Sequence, residues 1–285
     1  MNAVSAATIQ IRAGRLDDLD ALSKFTRKTF RWGDYIVEAW PHWVESARGE
    51  LLVAELDGAL VGTVHVRYVG AREAWLEGVR VHPAFRHQRI ATTLIQDAHR
   101  RAKQKRCRVM RLETFSYNRR AQRLFEKLGY RCVVQYARYR ARAAQELAPT
   151  MRAANRADAA RCWEIWTTAP HGQRAQSLTR APFGWLWWEF SLPRLREAIR
   201  AQRVWLSADA RAFMVLGREE LHALVLAGTP RGMRELLQGA QGLAKRQKLS
   251  RAYWFAPYTA RTRALAAQTR FTLDEAGMLI YEYVL

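Results

Sequence analysis

The 285-residue sequence holds only three cysteines, Cys107, Cys132 and Cys162, an odd number with no paired spacing. That excludes a disulfide framework and fits free thiols in a reducing compartment, each expected to be a buried small hydrophobe. No apolar run approaches the ~20 residues of a membrane-spanning helix, so no membrane contact is expected. Met1 to Ile11 lacks the basic-then-apolar order of a secretory leader, and the cytoplasm is the expected location. His82 and His87 have no cysteine or second carboxylate at metal-ligand spacing, and no metal site is expected. Acidic groups are also scarce: 26 Asp and Glu stand against 47 Lys and Arg, a net charge of +21.

The excess is spread over both halves, +13 for residues 1–145 and +8 for residues 146–285. It is densest along Arg100, Arg101, Lys103, Lys105, Arg106, Arg108 and Arg111. A field of this sign attracts polyanions and speeds capture of anionic ligands. Two expectations stand side by side: a solvated arginine-rich surface, or a contact with nucleic acid or a nucleic-acid-rich partner such as the ribosome.

Two segments recur at nearly constant spacing. Ile11-Arg12-Ala13 through Asp18 resembles Met151-Arg152-Ala153 through Asp158, an offset of 140. Tyr117, Arg120, Leu124 and Tyr130 align with Tyr258, Arg261, Leu265 and Phe271, an offset of 141. Agreement of the offsets across such a distance implies a duplicated unit of domain size, with residues 1–145 and 146–285 as the two domains. The boundary is expected between Ala143 and Thr150, near Pro149.

Within the first copy the periodicity is mixed α/β. Thr8 to Ala13 reads as a strand, Arg15 to Phe30 as a helix, and Leu51 to Val69 as a hairpin around Asp57-Gly58. Trp75 to Val81 is a strand stopped by Pro83. Helical spacing then runs through Ala91, Leu94, Ile95, Ala98 and Ala102. Val109 to Thr114 returns to strand, Ala121 to Leu128 to helix with Gly129 as its C-cap, and Tyr130 to Tyr139 is the closing strand.

The informative stretch is Leu76 to Leu94, where a strand ends, a polar loop follows and an amphipathic helix begins. Free N–H groups and the positive dipole end make such a helix start an anion site, and Ala91, Thr92 and Thr93 are small enough for close approach. Arg86 and Arg89 add charge. This segment resembles the acetyl-coenzyme A signature of the GNAT (GCN5-related N-acetyltransferase) superfamily, Arg/Gln-x-x-Gly-x-Gly/Ala after a Val-x-Pro strand end. Here it reads Arg86-His87-Gln88-Arg89-Ile90-Ala91, with Arg89 in place of the first glycine. A second family motif, Asn118-x-x-Ala121-x-x-Leu124-Phe125-x-x-x-Gly129-Tyr130, matches at the right distance. The resemblance covers roughly residues 8–140.

The resemblance implies two tandem domains of this family, each a mostly antiparallel mixed sheet flanked by helices. It implies acetyl-CoA as co-substrate and direct transfer of acetyl to a primary amine on a protein, an aminoacyl group or a small molecule. The cofactor would lie on Val79, Arg80 and Val81, on the loop and helix start Arg86, His87, Gln88, Arg89, Ile90, Ala91 and Thr92, and on Asn118, Arg120 and Phe125. Glu77, on the strand before the loop, is the candidate base; its other reading is a solvent-facing or salt-bridged strand glutamate. The family's acid is a tyrosine at the position of Phe125, which has no proton to donate. Water or a nearby tyrosine takes that part, with Tyr117 and Tyr130 closest in sequence, or the coenzyme A thiolate leaves without help.

The counterpart of the loop in the second copy, Ala227 to Arg234, lacks the arginine pattern and carries Pro230. It reads as a degenerate copy that kept the fold. Aromatic residues gather at Phe30, Trp32, Trp40 and Trp43 and at Phe183, Trp185, Trp187, Trp188 and Phe190. They are expected to pack the two halves together, or else to wall an apolar acceptor or stack a nucleobase. A non-catalytic alternative remains: an acetyl-CoA sensor, or a basic nucleic-acid-binding or ribosome-associated module on the same scaffold.

Overall fold

The computed structural model describes residues 8–27, 29, 33–70, 72–144, 151–170, 177–182, 185–218 and 221–285. Phe30, Trp32, Phe183 and most of the expected boundary (145–150) lie outside the described residues. Contacts group the chain into two units. The first holds the chain up to Leu112, Arg120–Arg131 and Glu282–Leu285; the second holds Glu113–Arg119 and Cys132–Tyr281.

The first unit runs β1 (Gln10–Ala13), a 3-10 turn (Leu16–Asp18), α1 (Leu19–Thr26), α2 (Ile36–Val44), β2 (Gly49–Leu56), β3 (Ala59–Tyr68) and β4 (Glu73–Val81). A 3-10 turn (Pro83–Phe85), α3 (Ile90–Gln104), the start of β5 (Val109–Phe115) and α4 (Arg119–Lys127) complete it. β1 to β4 pair antiparallel in order, and β5 pairs parallel with β4. The Asp57-Gly58 turn has φ of 49° and 78°, the left-handed geometry that a tight hairpin requires. Trp40, Trp43, Leu22 and Ile36 pack against Leu51 and Val53, tying α1 and α2 to β2 inside this unit. Beside β5 lies the C-terminal end of the last strand, where the Leu285 N–H donates to the Arg108 carbonyl at 2.9 Å.

In the second unit β6 (Arg131–Arg142) precedes β7 (Met151–Ala153), a 3-10 turn (Arg156–Asp158), α5 (Ala159–Thr168), β8 (Leu178–Arg180), β9 (Trp187–Glu189) and α6 (Leu192–Arg200). There follow β10 (Val204–Ser207), β11 (Ala212–Leu216), β12 (His222–Gly228), α7 (Pro230–Arg246), β13 (Arg251–Pro257), α8 (Ala260–Gln268) and β14 (Thr272–Val284). Here β7, β10, β11 and β12 are antiparallel neighbours, β13 is parallel to β12, and β6 is antiparallel to β13. The element order repeats that of the first unit, an α/β fold of mixed sheets flanked by helices.

The duplication extends to individual bonds. Arg12 grips both carboxylate oxygens of Asp18 at 2.8 and 2.7 Å, and Arg152 grips Asp158 at the same two distances. Asp18 also accepts from the Arg15 N–H at 2.7 Å, as Asp158 does from the Asn155 N–H at 2.8 Å. Each clasp locks the first strand to the turn that starts the first helix.

The closing strand of the first copy, β6, pairs with β13 over Tyr136–Arg142, inside the second unit. The last four residues of the chain group with the first unit instead. Trp40, Trp43 and Phe190 lie in the hydrophobic interiors of their own units. Cys107 and Cys162 are buried as expected, but Cys132, the second residue of β6, is exposed at the solvent-facing start of that strand.

Candidate functional site

The pairing of β4 with β5 covers only Glu73↔Val109, Ala74↔Met110 and Trp75↔Arg111. Beyond Trp75 the two strands diverge, and Glu77 to Val81 keep an edge without that neighbour. Gly78 makes the divergence. Its φ of +67° breaks the strand geometry, and the β3 register slips there, from Thr63↔Arg80 to His65↔Glu77. A Cβ on Gly78 would lie 2.7 Å from the Trp43 ring, so glycine is required on both counts. Val79, Arg80 and Val81 are partly exposed along this edge.

The chain then turns through Pro83–Phe85 into the loop Arg86–Arg89. His87 and Arg89 both adopt left-handed backbone, φ 68° and 60°. The two left-handed residues flank Gln88 and turn the chain sharply just before α3. Arg89 is the N-cap of α3, and no side chain caps that helix start. Ala91, Thr92 and Thr93 are partly exposed in the first turn, while Arg86, His87, Gln88 and Arg89 are exposed. Neither Arg86 nor Arg89 has an acidic partner among the described residues. Gly62 on β3 lets α3 sit close, since a Cβ there would meet Ile90 at 2.8 Å.

The second unit treats the equivalent helix start differently. The Thr229 hydroxyl accepts from the Gly232 N–H at 3.2 Å, and Arg231 pairs with Glu235 at 3.1 Å. A Cβ on Gly232 would lie 2.6 Å from Ala212, so this turn packs directly onto the sheet. The N–H and the cation that are open in the first unit are both occupied here.

Glu77 is held by β3. Its Oε1 accepts from His65 Nδ1 at 2.9 Å and from Arg67 at 3.2 Å, while its Oε2 has no partner among the described residues. His65 is buried and stacks on Trp43 at 4.5 Å; burial lowers its pKa, so the ring is neutral and Nδ1–H donates. Alternate β3 positions supply both partners, a cross-strand relation that sequence reasoning missed. The Arg80 guanidinium is engaged with Asp34, at 2.7 and 2.8 Å, and lies over Tyr35.

The remaining sequence candidates are dispersed. Phe125 is buried, edge-on to Tyr130 at 5.5 Å. Tyr130 is also interior, its hydroxyl 2.9 Å from His99 Nε2. Asn118 and Arg120 are exposed at the start of α4. Tyr117 is 64% exposed and stacked on Phe115. Burial and nearby acidic groups raise its phenol pKa, so it keeps its proton.

One titrating group was not anticipated. Glu113 lies on β5, two residues beyond the last β4 pair, and belongs to the second unit. The residue retains some surface, but its Oε1 has no solvent contact and no hydrogen-bond partner. Trp187 Nε1 donates to Oε2 at 2.5 Å. Desolvation raises the carboxyl to about 7, against the opposing pull of the Trp187 and Trp185 hydrogen bonds and the Arg180 charge. Arg180 is itself 4.6 Å from both the Trp185 and Phe255 ring centres. The only sequence signal was a lone glutamate in an apolar strand.

Among the described residues no helix is long and apolar enough to cross a membrane, and no cluster of His, Cys, Asp or Glu could hold a metal.

Residues 17–130 match the model of the acetyltransferase (GNAT) family. Solved structures with the same fold include a GCN5-related N-acetyltransferase from Sphaerobacter thermophilus. It is 14% identical, with a TM-score of 0.64 over 97% of this chain and 95% of that one. A GCN5-related N-acetyltransferase from Kribbella flavida is 16% identical, with a TM-score of 0.53 over 98% of this chain and 71% of that one. The glucosamine N-acetyltransferase region of a fungal multi-domain GH3 β-N-acetylglucosaminidase is 13% identical, with a TM-score of 0.67 over 99% of this chain and 39% of that one. No curated protein matches the sequence.

Proposed function

From the match of residues 17–130 to the acetyltransferase (GNAT) family model, we propose that the chain is an acetyl-CoA-dependent N-acetyltransferase with one working cofactor loop, in the first unit. The observation that carries this reading is the uncapped start of α3 behind two unpaired arginines, next to a β4 edge that has lost its neighbour. The loop N–H groups and the Arg86 and Arg89 guanidiniums suit a pyrophosphate. The free edge at Val79–Val81 suits an extended amide chain in the manner of an added strand. Acetyl-CoA supplies an activated thioester to an amine nucleophile.

This chain's own residues then have three tasks. The β4 N–H groups donate to developing charge on the acyl oxygen. Glu77, through Oε2, takes the proton that the amine must lose, directly or through water, while His65 and Arg67 hold the carboxylate in place. Tyr117 or water returns a proton to the departing sulfur. The acceptor would be a primary amine on a protein, an aminoacyl group or a small molecule. The basic surface favours an acceptor attached to something anionic.

Calorimetric titration of the full chain with acetyl-CoA tests the reading. One site per chain is expected, with affinity reduced about tenfold or more by the double substitution Arg86→Ala, Arg89→Ala. Glu77→Gln should cut turnover in an amine screen and leave cofactor affinity unchanged. Tight cofactor binding with no transfer to any amine would favour a sensor, the reading to which the hydroxyl-free Phe125 lends weight. No cofactor binding would sink both.

A further inference from the structure

The second unit carries a cleft that the acetyl-transfer proposal does not use. It lies between the Arg156–Asp158 turn with the start of α5 on one side and α6 on the other, with a volume of about 370 Å3. Ala159, Pro193 and Ile199 form its apolar lining, and Arg156, Arg196 and Arg200 supply every charged side chain that lines it. All three arginines are exposed.

The acidic groups on the same elements are engaged with other arginines: Asp158 with Arg152 at 2.7 Å, Glu164 with Arg161 at 2.8 Å and Glu197 with Arg218 at 3.6 Å. Arg156, Arg196 and Arg200 have no acidic partner among the described residues. Three unneutralised guanidiniums on one small cleft repel one another, an arrangement that a bound polyanion relieves.

We propose that this cleft binds a multiply phosphorylated small ligand of the nucleotide class. Arg196 and Arg200 stand four residues apart on one face of α6, a spacing that places their side chains side by side. Planar guanidinium forks at that spacing suit neighbouring phosphates, with Arg156 approaching from the opposite wall. The volume exceeds the needs of one phosphate, and the Ala159–Pro193–Ile199 lining suits a flat, weakly polar body such as a base. Single-stranded nucleic acid is the weaker match, because no aromatic side chain lines the cleft to stack successive bases. The site is built on elements that include no residue of the β4–α3 loop, so it stands or falls independently of acetyl transfer.

The test is calorimetric titration of the full chain with ATP, inorganic triphosphate and a single-stranded RNA oligomer. The proteins are the wild type, Arg196→Gln/Arg200→Gln, Arg156→Gln and Arg86→Ala/Arg89→Ala. We expect one ATP site, weakened about tenfold or more by either set of cleft substitutions and retained when Arg86 and Arg89 are replaced. Triphosphate should bind more weakly than ATP. Thermal melting checks that the exposed Arg→Gln changes leave the fold intact. The proposal is overturned if ATP does not bind, or if binding depends on Arg86 and Arg89 instead. Triphosphate binding as tightly as ATP, or RNA alone binding through the cleft arginines, would also overturn it.

Discussion

Replacing Glu113 by glutamine should abolish a pH-dependent loss of stability that the wild type carries. In the folded chain the carboxyl holds its proton up to about pH 7, whereas its ordinary value is 4.5. Between those two values the unfolded chain has released the proton and the folded chain has not. The unfolded state therefore binds fewer protons, and stability falls as pH rises through that window, levelling off above about 7. The interval corresponds to about 3 kcal/mol, with the opposing pull of Trp187, Trp185 and Arg180 already included in it. Glutamine is isosteric and keeps an acceptor for Trp187, so its own effect should not vary with pH. Urea unfolding of both proteins at pH 5, 6, 7 and 8 gives the difference directly, since other titrating groups cancel. Glutamine should gain on the wild type by roughly 2–3 kcal/mol between pH 5 and 8. A constant difference would refute the reasoning and mean that the carboxyl titrates as an ordinary surface acid. Tryptophan emission should also titrate near neutrality in the wild type, since two tryptophans bond to the group, and should lose that step in the variant.

Arg89→Gly should raise stability by a few tenths to about 1 kcal/mol, because glycine adopts the φ of 60° without strain, yet weaken acetyl-CoA binding through the lost charge. Thermal melting and cofactor titration should move in opposite directions. Gly78→Ala should destabilise by more than about 1 kcal/mol, since φ is +67° and Trp43 blocks the Cβ; a neutral result would mean that β4 has no such bulge. Arg111→Met should cost about 2–4 kcal/mol in urea unfolding, because it removes the buried guanidinium that now sits 2.5 and 2.8 Å from the Glu73 and Glu282 carboxylates.

Much of the first unit was legible because its signals are local. Alternation over Leu51–Leu56, the Asp57-Gly58 turn and the helical spacing from Ile90 depend on neighbours within a few residues, and those strands and that helix stand where the periodicity put them; the helix expected over Arg15–Phe30 is instead a 3-10 turn followed by α1 (Leu19–Thr26), and α2 (Ile36–Val44) was not read. The succession of strand end, proline, basic loop and helix start before α3 was legible for the same reason, since these follow one another along the chain. So was the duplication, since the Arg12–Asp18 clasp and its copy span only six residues each.

What the sequence by itself determined, then, is the element order, the repeat and the open helix start, all consequences of short-range geometry. Tertiary structure alone decided which closing strand pairs with which sheet. The two copies end in similar strands, and hydrogen-bonding backbone carries no label for its partner, so β6 beside β13 could not be read in advance. It also decided that Arg80 is engaged by Asp34, 46 residues away, and that Glu77 leans on His65 and Arg67. Glu113 shows the reason most sharply. Its charge state is set by Trp185, Trp187 and Arg180, residues more than sixty positions away, and desolvation is a property of the surroundings that no stretch of chain contains.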